Sequence, residues 1–252
     1  MAAPAWGARG IWQIGMGVAA FAAPAYPGAD SESFFVYPYP DISYRTRLLH
    51  LKRNRLRIRP SAQSRWRFGV AANASPPTPA GTPDARRGMP QLPATLAAGP
   101  EVLYRLRWHP FDLQTFVGVH SRFRIAILPN AHVDTVGAGG GPFVEWQSRP
   151  ASRYQLTLGV GPVWRTRGEN GFFFNVPPAY AIPGRSRYHA AGGYAGARAT
   201  GSVTRHFGRY ALTAFARYRY YGAAVFRDSP LLKASSTFLC GVAVVWVFAH
   251  PA

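Results

Sequence analysis

The chain has 252 residues, 48% of them hydrophobic and 14% aromatic, with 26 Gly and 23 Pro. Its formal charge of +19 comes from 29 Lys and Arg against 10 Asp and Glu, and nearly all the cations are Arg, since Lys52 and Lys233 are the only lysines. No apolar run reaches the roughly eighteen residues of a transmembrane helix, so a membrane-spanning form of this chain has to be a barrel of strands, and the single cysteine, Cys240, excludes an intramolecular disulfide.

The first 29 residues could pass for a signal peptide, with Arg9, an apolar stretch from Ile11 and small residues near Ala23 and Ala25. Gln13 interrupts that stretch, however, and Trp12, Ile14, Met16 and Val18 alternate with Gln13, Gly15, Gly17 and Ala19. A period of two marks a strand, and the expectation is a first strand, with the export signal not evident in the sequence. A turn at Tyr26 to Asp30 follows, then an aromatic run broken by Pro38 and Pro40.

Arg53, Arg55, Arg57 and Arg59 then alternate with Asn54, Leu56 and Ile58. On a helix these arginines would surround the axis, whereas on a strand they form one charged ladder. Arg65 and Arg67 around Trp66 and Phe68, and Arg105 and Arg107 around Leu106 and Trp108, repeat the pattern. Residues 74–100, rich in Pro, Ala and Gly, read as a long loop.

Strand patterning resumes from Phe111, and the glycine-rich Gly137 to Pro142 reads as a turn or flexible loop without the Lys-Ser/Thr of a nucleotide loop. Alternation returns at Tyr154 to Val160, stops in the proline-rich Gly171 to Gly184, and is expected again over Tyr188 to Gly201 and Tyr210 to Tyr220, with Arg217 and Arg219 on one face of the latter. In the closing stretch, Asp228 to Phe248, the bulky Phe238, Cys240, Val242, Val244, Trp246 and Phe248 share one face. No amphipathic helix stands out. The fold expected is all-β: a single-domain antiparallel transmembrane barrel of about 10 to 14 strands, twelve for preference, with aromatic and apolar faces to lipid and Arg-bearing faces to water.

Several segments, in order and spacing, resemble the MipA/OmpV family of Gram-negative outer-membrane proteins. They are WQIGMGVAAFAAPAYPGAD, FFVYPYPDISYR, the residues around Pro100, Glu101 and Val102, FFFNVPP, and the ending with Asp228, Ser229 and Pro230 whose terminal aromatic falls at Phe248. The resemblance implies an outer-membrane barrel, and a scaffold joining a murein transglycosylase to a penicillin-binding protein. It implies no catalytic motif.

The residues also leave rival functions to weigh. The seven histidines form no HExxH or HxxxH pattern, and His120 and Ser121 would point to opposite faces of a strand, so no enzyme, metal site or cofactor is expected. Nucleic-acid binding is disfavoured because the arginines lie along many strands instead of one patch. The alternative to a scaffold is an anion-selective pore or solute-binding barrel, for which Arg53, Arg55, Arg57, Arg59, Arg217 and Arg219 are the candidate lumen residues. Phosphorylated lipid of the outer membrane is the other partner such arginines would suit.

Overall fold

The computed structural model describes residues 11–46, 49–52, 55–61, 63–78, 84–108, 110–128, 132–148 and 154–249. In chain order these hold β1 (Ile11–Pro24), β2 (Glu32–Arg45), β3 (Leu49–Lys52), β4 (Arg55–Ile58), β5 (Trp66–Ser75), β6 (Ala94–Arg105) and β7 (Gln114–Ile127). There follow β8 (Val133–Gln147), β9 (Tyr154–Arg165), α1 (Arg167–Phe174), β10 (Gly193–Phe207), β11 (Tyr210–Tyr220) and β12 (Ser236–Ala249). Each strand pairs antiparallel with its sequence neighbour, and β12 pairs with β1 from Ala22 opposite Cys240 to Ile14 opposite Ala249, so the sheet curls round and closes.

Closure leaves sheet edge only where the short β3 and β4 fall short of β2 and β5, and the alternation along each strand then divides the molecule into an outside and an inside. On β12 the even residues from Phe238 to Phe248 are exposed, while Thr237, Ala243, Val245 and Val247 are buried. The expected assignment of Cys240 to the outer face holds. Valines and leucines such as Val18, Val36, Val70, Leu158, Leu212 and Val244 cover the middle of the exterior. Rings stand at both margins: Phe34, Phe123, Trp164, Tyr220 and Phe238 toward one end, and Trp12, Trp66, Tyr154, Tyr210 and Trp246 toward the other. An apolar band between two aromatic girdles is what a barrel in lipid presents.

The two ends differ. One carries the short connections 46–48, 59–65, 106–113, 148–153 and 208–209, together with the outer ends of β1 and β12. The other carries 25–31, 76–78, 84–93, 166–192 and 221–235, whose side chains build a buried lid around Tyr26, Met89, Phe173, Phe174, Val176, Phe226 and Leu231. Phe174 and Phe226 stack with ring centroids 3.9 Å apart. The Tyr26 hydroxyl donates to the Leu231 carbonyl at 2.6 Å, and Ser229 Oγ to the Phe174 carbonyl at 2.8 Å.

Several sequence expectations need correction. Gly137 to Pro142 is neither a turn nor a flexible loop but part of β8, and its glycines sit where neighbours crowd them: a Cβ on Gly140 would overlap the His120 carbonyl, and one on Gly141 the Pro162 carbonyl. The loop taken as 74–100 is shorter, because β5 runs to Ser75 and β6 begins at Ala94. β10 spans Gly193–Phe207 and not Tyr188 to Gly201, since Tyr188 belongs to the lid, where it forms a bridge with Val176. Of the Arg ladder expected over 53–59, β4 carries Arg55 and Arg57 and ends at Ile58, so Arg59 lies just beyond the strand.

A helix was also missed. The eight residues of α1 are too few to show a 3.6-residue period, and glycine and phenylalanine dilute what there is. Its start was nonetheless written in the sequence as Thr166-x-x-Glu169, a capping-box spacing: the Thr166 side chain accepts from the Glu169 backbone N–H.

Candidate functional site

The lumen encloses a cavity of about 1150 Å³, and its walls are built by the inward half of every long strand. Eleven arginines reach it: Arg55, Arg57, Arg59, Arg67, Arg105, Arg122, Arg124, Arg165, Arg198, Arg217 and Arg219. Of the residues expected there, Arg55 and Arg57 stand on β4, Arg59 just beyond it, and Arg217 and Arg219 on β11; Arg53 lies outside the described residues. Asp228, Ser229 and Pro230 are brought into the lid instead, and Phe248 faces outward.

Three carboxylates organise part of this charge. Glu145 on β8 meets Arg55 Nη1 at 2.7 Å and Arg57 Nη2 at 3.0 Å, while Arg57 Nε lies 2.6 Å from Glu101 on β6. The Gln147 amide also donates to Glu145. Arg67 donates to Gln147 at 3.2 Å and lies over the Phe116 ring at 4.1 Å. Toward the lid, Glu169 on α1 meets Arg124 at 3.1 Å and Arg165 at 3.5 Å. Buried carboxylates are tolerated when paired in this way, and each here serves as a clamp between strands far apart in sequence.

The remaining arginines are less satisfied. Arg122 Nη1 donates to Asn73 at 3.2 Å, and Arg198 lies 3.4 Å from His120 Nε2, which must accept because guanidinium only donates. Arg122 Nε, Arg165 Nη1 and Arg217 Nε are buried without a hydrogen-bond partner. They surround a smaller void of about 60 Å³ opening off the same interior, ringed also by Arg198 and Arg219. Such a surplus of enclosed donors over acceptors suits an oxyanion.

Across the lumen the wall changes character. Phe21 stacks on Phe35 at 5.3 Å and lies 6.2 Å from Tyr37 and 6.3 Å from Phe215. At the short-turn end Tyr39, Ala211, Val245 and Val247 pack together inside the barrel. At the other end the lid carries a buried phenol: burial pushes the Tyr26 hydroxyl up to about 12, against the opposing pull of Arg86. Arg86 sits 5.8 Å from that ring and donates to the Phe173 carbonyl at 3.2 Å.

Reading the sequence alone missed Arg122, Arg124, Arg165, Arg198, Glu145 and Glu169 as site residues. Arg122 and Arg124 flank Phe123 in the same Arg-aromatic-Arg alternation that marked the other ladders, so the signal was present for that pair. Nothing local in the sequence pairs Arg57 with Glu145, which is 88 residues away.

Among solved structures, the chain is similar to the NanC porin, at 8% identity and a TM-score of 0.36, covering 94% of this chain and 98% of that one. It is also similar to the P. putida toluene transporter TodX, at 10% identity and 0.33, covering 96% and 68%. The Ralstonia pickettii toluene transporter TbuX matches at 10% identity and 0.29, covering 93% and 69%. No curated protein matches the chain. Residues 16–248 match the family described as MltA-interacting protein MipA, almost the whole of the curled sheet and its lid. The chain belongs to that MipA family.

Proposed function

We propose that this protein is a barrel of the Gram-negative outer membrane that serves as an interaction scaffold for murein-processing enzymes, with a murein transglycosylase as the first partner. The family match over residues 16–248 carries this reading, because the family is described by its interaction with MltA. A penicillin-binding protein as second partner follows from the family resemblance alone. In outer-membrane barrels the short turns face the periplasm, where murein lies. That end displays Trp108 and Phe111, 60% and 95% exposed, in the connection 106–113. Phe111 is also the one non-glycine residue with a positive φ, 52°, among the described residues, a conformation that has to be held in place by its surroundings.

The test is capture of a purified murein transglycosylase by the detergent-solubilised barrel. Retention is expected, and the double change Trp108→Ser and Phe111→Ser should weaken it roughly tenfold, the scale of losing two exposed aromatic anchors. Absence of retention for the unchanged protein at low salt sinks the scaffold reading.

A solute-binding barrel is the second reading, favoured by one observation: the arginine surplus lies inside the lumen and not on the outer face. The lid at one end and the apolar packing around Val245 and Val247 at the other favour retention of a solute over free flow. In planar bilayers this reading expects anion preference in whatever current passes. Cation preference would contradict it.

A further inference from the structure

The arginine wall and the aromatic wall meet along a single strand. Phe215 and Arg217 are successive inward residues of β11, so their Cα atoms lie roughly 7 Å apart along the strand. On the arginine side, Arg122 Nε and Arg217 Nε are enclosed donors with no partner, and Arg122, Arg198, Arg217 and Arg219 meet no carboxylate at salt-bridge distance among the described residues. Enclosed guanidinium groups without acceptors are costly, and an oxyanion supplies acceptors and charge together. On the other side Phe215 joins Phe21, Phe35 and Tyr37, rings that turn toward the lumen and not toward the apolar exterior. Four aromatic rings in contact beside an arginine wall are apolar lumen surface awaiting cover.

That shelf also borders a break in the wall. The β3–β4 pair is short, so among the described residues Glu32–Pro38 of β2 and Asn73–Ser75 of β5 have no strand between them. Ala74, which points outward by its place in β5, still lines the lumen. Pro38 and Pro40, two residues apart, withdraw donors from one and the same edge of β2, as strand edges tolerate.

We propose that the lumen holds a binding site for an amphipathic anion, an oxyanion joined to an aromatic or aliphatic group. Its head sits among Arg122, Arg198 and Arg217, and its apolar part lies on Phe21, Phe35 and Phe215. The site rests on the solute-binding reading and gives it a ligand class. It is independent of any murein partner.

The test uses the protein refolded in zwitterionic detergent, with 1-naphthyl phosphate as probe in equilibrium dialysis, and with inorganic phosphate and 1-naphthol for comparison. Saturable binding of naphthyl phosphate is expected, tighter than either comparison compound and weakened by salt. Combining Arg198→Gln with Arg217→Gln should lower its affinity roughly tenfold or more, the scale of losing charged hydrogen bonds. Phe35→Ala should weaken naphthyl phosphate several-fold and leave inorganic phosphate unchanged. Circular dichroism and heat-dependent gel mobility of each variant show whether the barrel itself survives, so loss of the site is distinguished from loss of the fold. No saturable binding by an intact barrel overturns the proposal, as does equal affinity for naphthol, and an unaffected Phe35→Ala protein reduces the site to one for bare oxyanions. Repeating the dialysis in bilayer discs with and without anionic phospholipid assigns the source. Displacement by the lipid names lipid as the occupant, and undiminished binding names a soluble anion.

Discussion

Glu145 touches two arginines on β4 while standing on β8, and its side chain is almost wholly enclosed. Removing its charge would leave the buried Arg57 with Glu101 alone and deprive the half-exposed Arg55 of the carboxylate it meets, so Glu145→Gln should lower stability by about 3 kcal/mol, measured by urea unfolding in detergent. A loss within error would show that lumen water already screens these charges. At the lid, Tyr26 supplies a pH test with a fixed sign. Its folded value lies near 12 against 10.0 in the ordinary state, so the unfolded chain loses this proton first as pH rises. Lid stability is therefore complete below about pH 10 and declines from there toward pH 12. Hydrogen exchange of the lid across that range checks it, and Tyr26→Phe should remove most of the dependence, leaving the part that Tyr188, also raised by burial, contributes. At this scale the sequence was half readable: alternation placed Arg55, Arg57, Arg217 and Arg219 on inward faces, but the carboxylates that neutralise some of them are reached only through tertiary pairing.

Strands were legible where bulky and polar residues alternate, as in β1, β11 and β12, and obscure where glycine removes the bulky partner. In β8, five of the fifteen residues are Gly or Pro between Gly137 and Pro142, so no face announces itself, although close packing against β7 and β9 is the very reason for the glycines. Gly140→Val should prevent β7 and β8 from approaching and abolish the heat-stable barrel band on a gel, while Gly208→Val, in the turn between β10 and β11, meets no neighbour but strains a φ of 56° and should cost less. The lid was illegible for a different reason. Its core gathers Tyr26, Met89, Phe174 and Phe226 from four separate connections, whose prolines and glycines break any regular period. Phe174→Ala should remove about 3 kcal/mol of lid packing and speed proteolysis within 166–192, with the strands left intact.

At the scale of the whole molecule, the account stands on one division: lipid outside, water and charge inside. The closing of β12 on β1 was foreseeable from two strands with matching alternation at the ends of the pattern, and the pairing of Ala22 with Cys240 realises it. Cys240 and Ser202 make that division measurable, because Cys240 points outward from β12 while Ser202 lines the lumen from β10, on a strand linked to β12 through β11. The protein is inserted into lipid vesicles and exposed to a charged, membrane-impermeant thiol reagent. The account predicts that native Cys240 stays unreacted in the bilayer, and that Ser202→Cys in a Cys240→Ser background reacts. Rapid modification of Cys240 in vesicles, with Ser202→Cys protected, would contradict it.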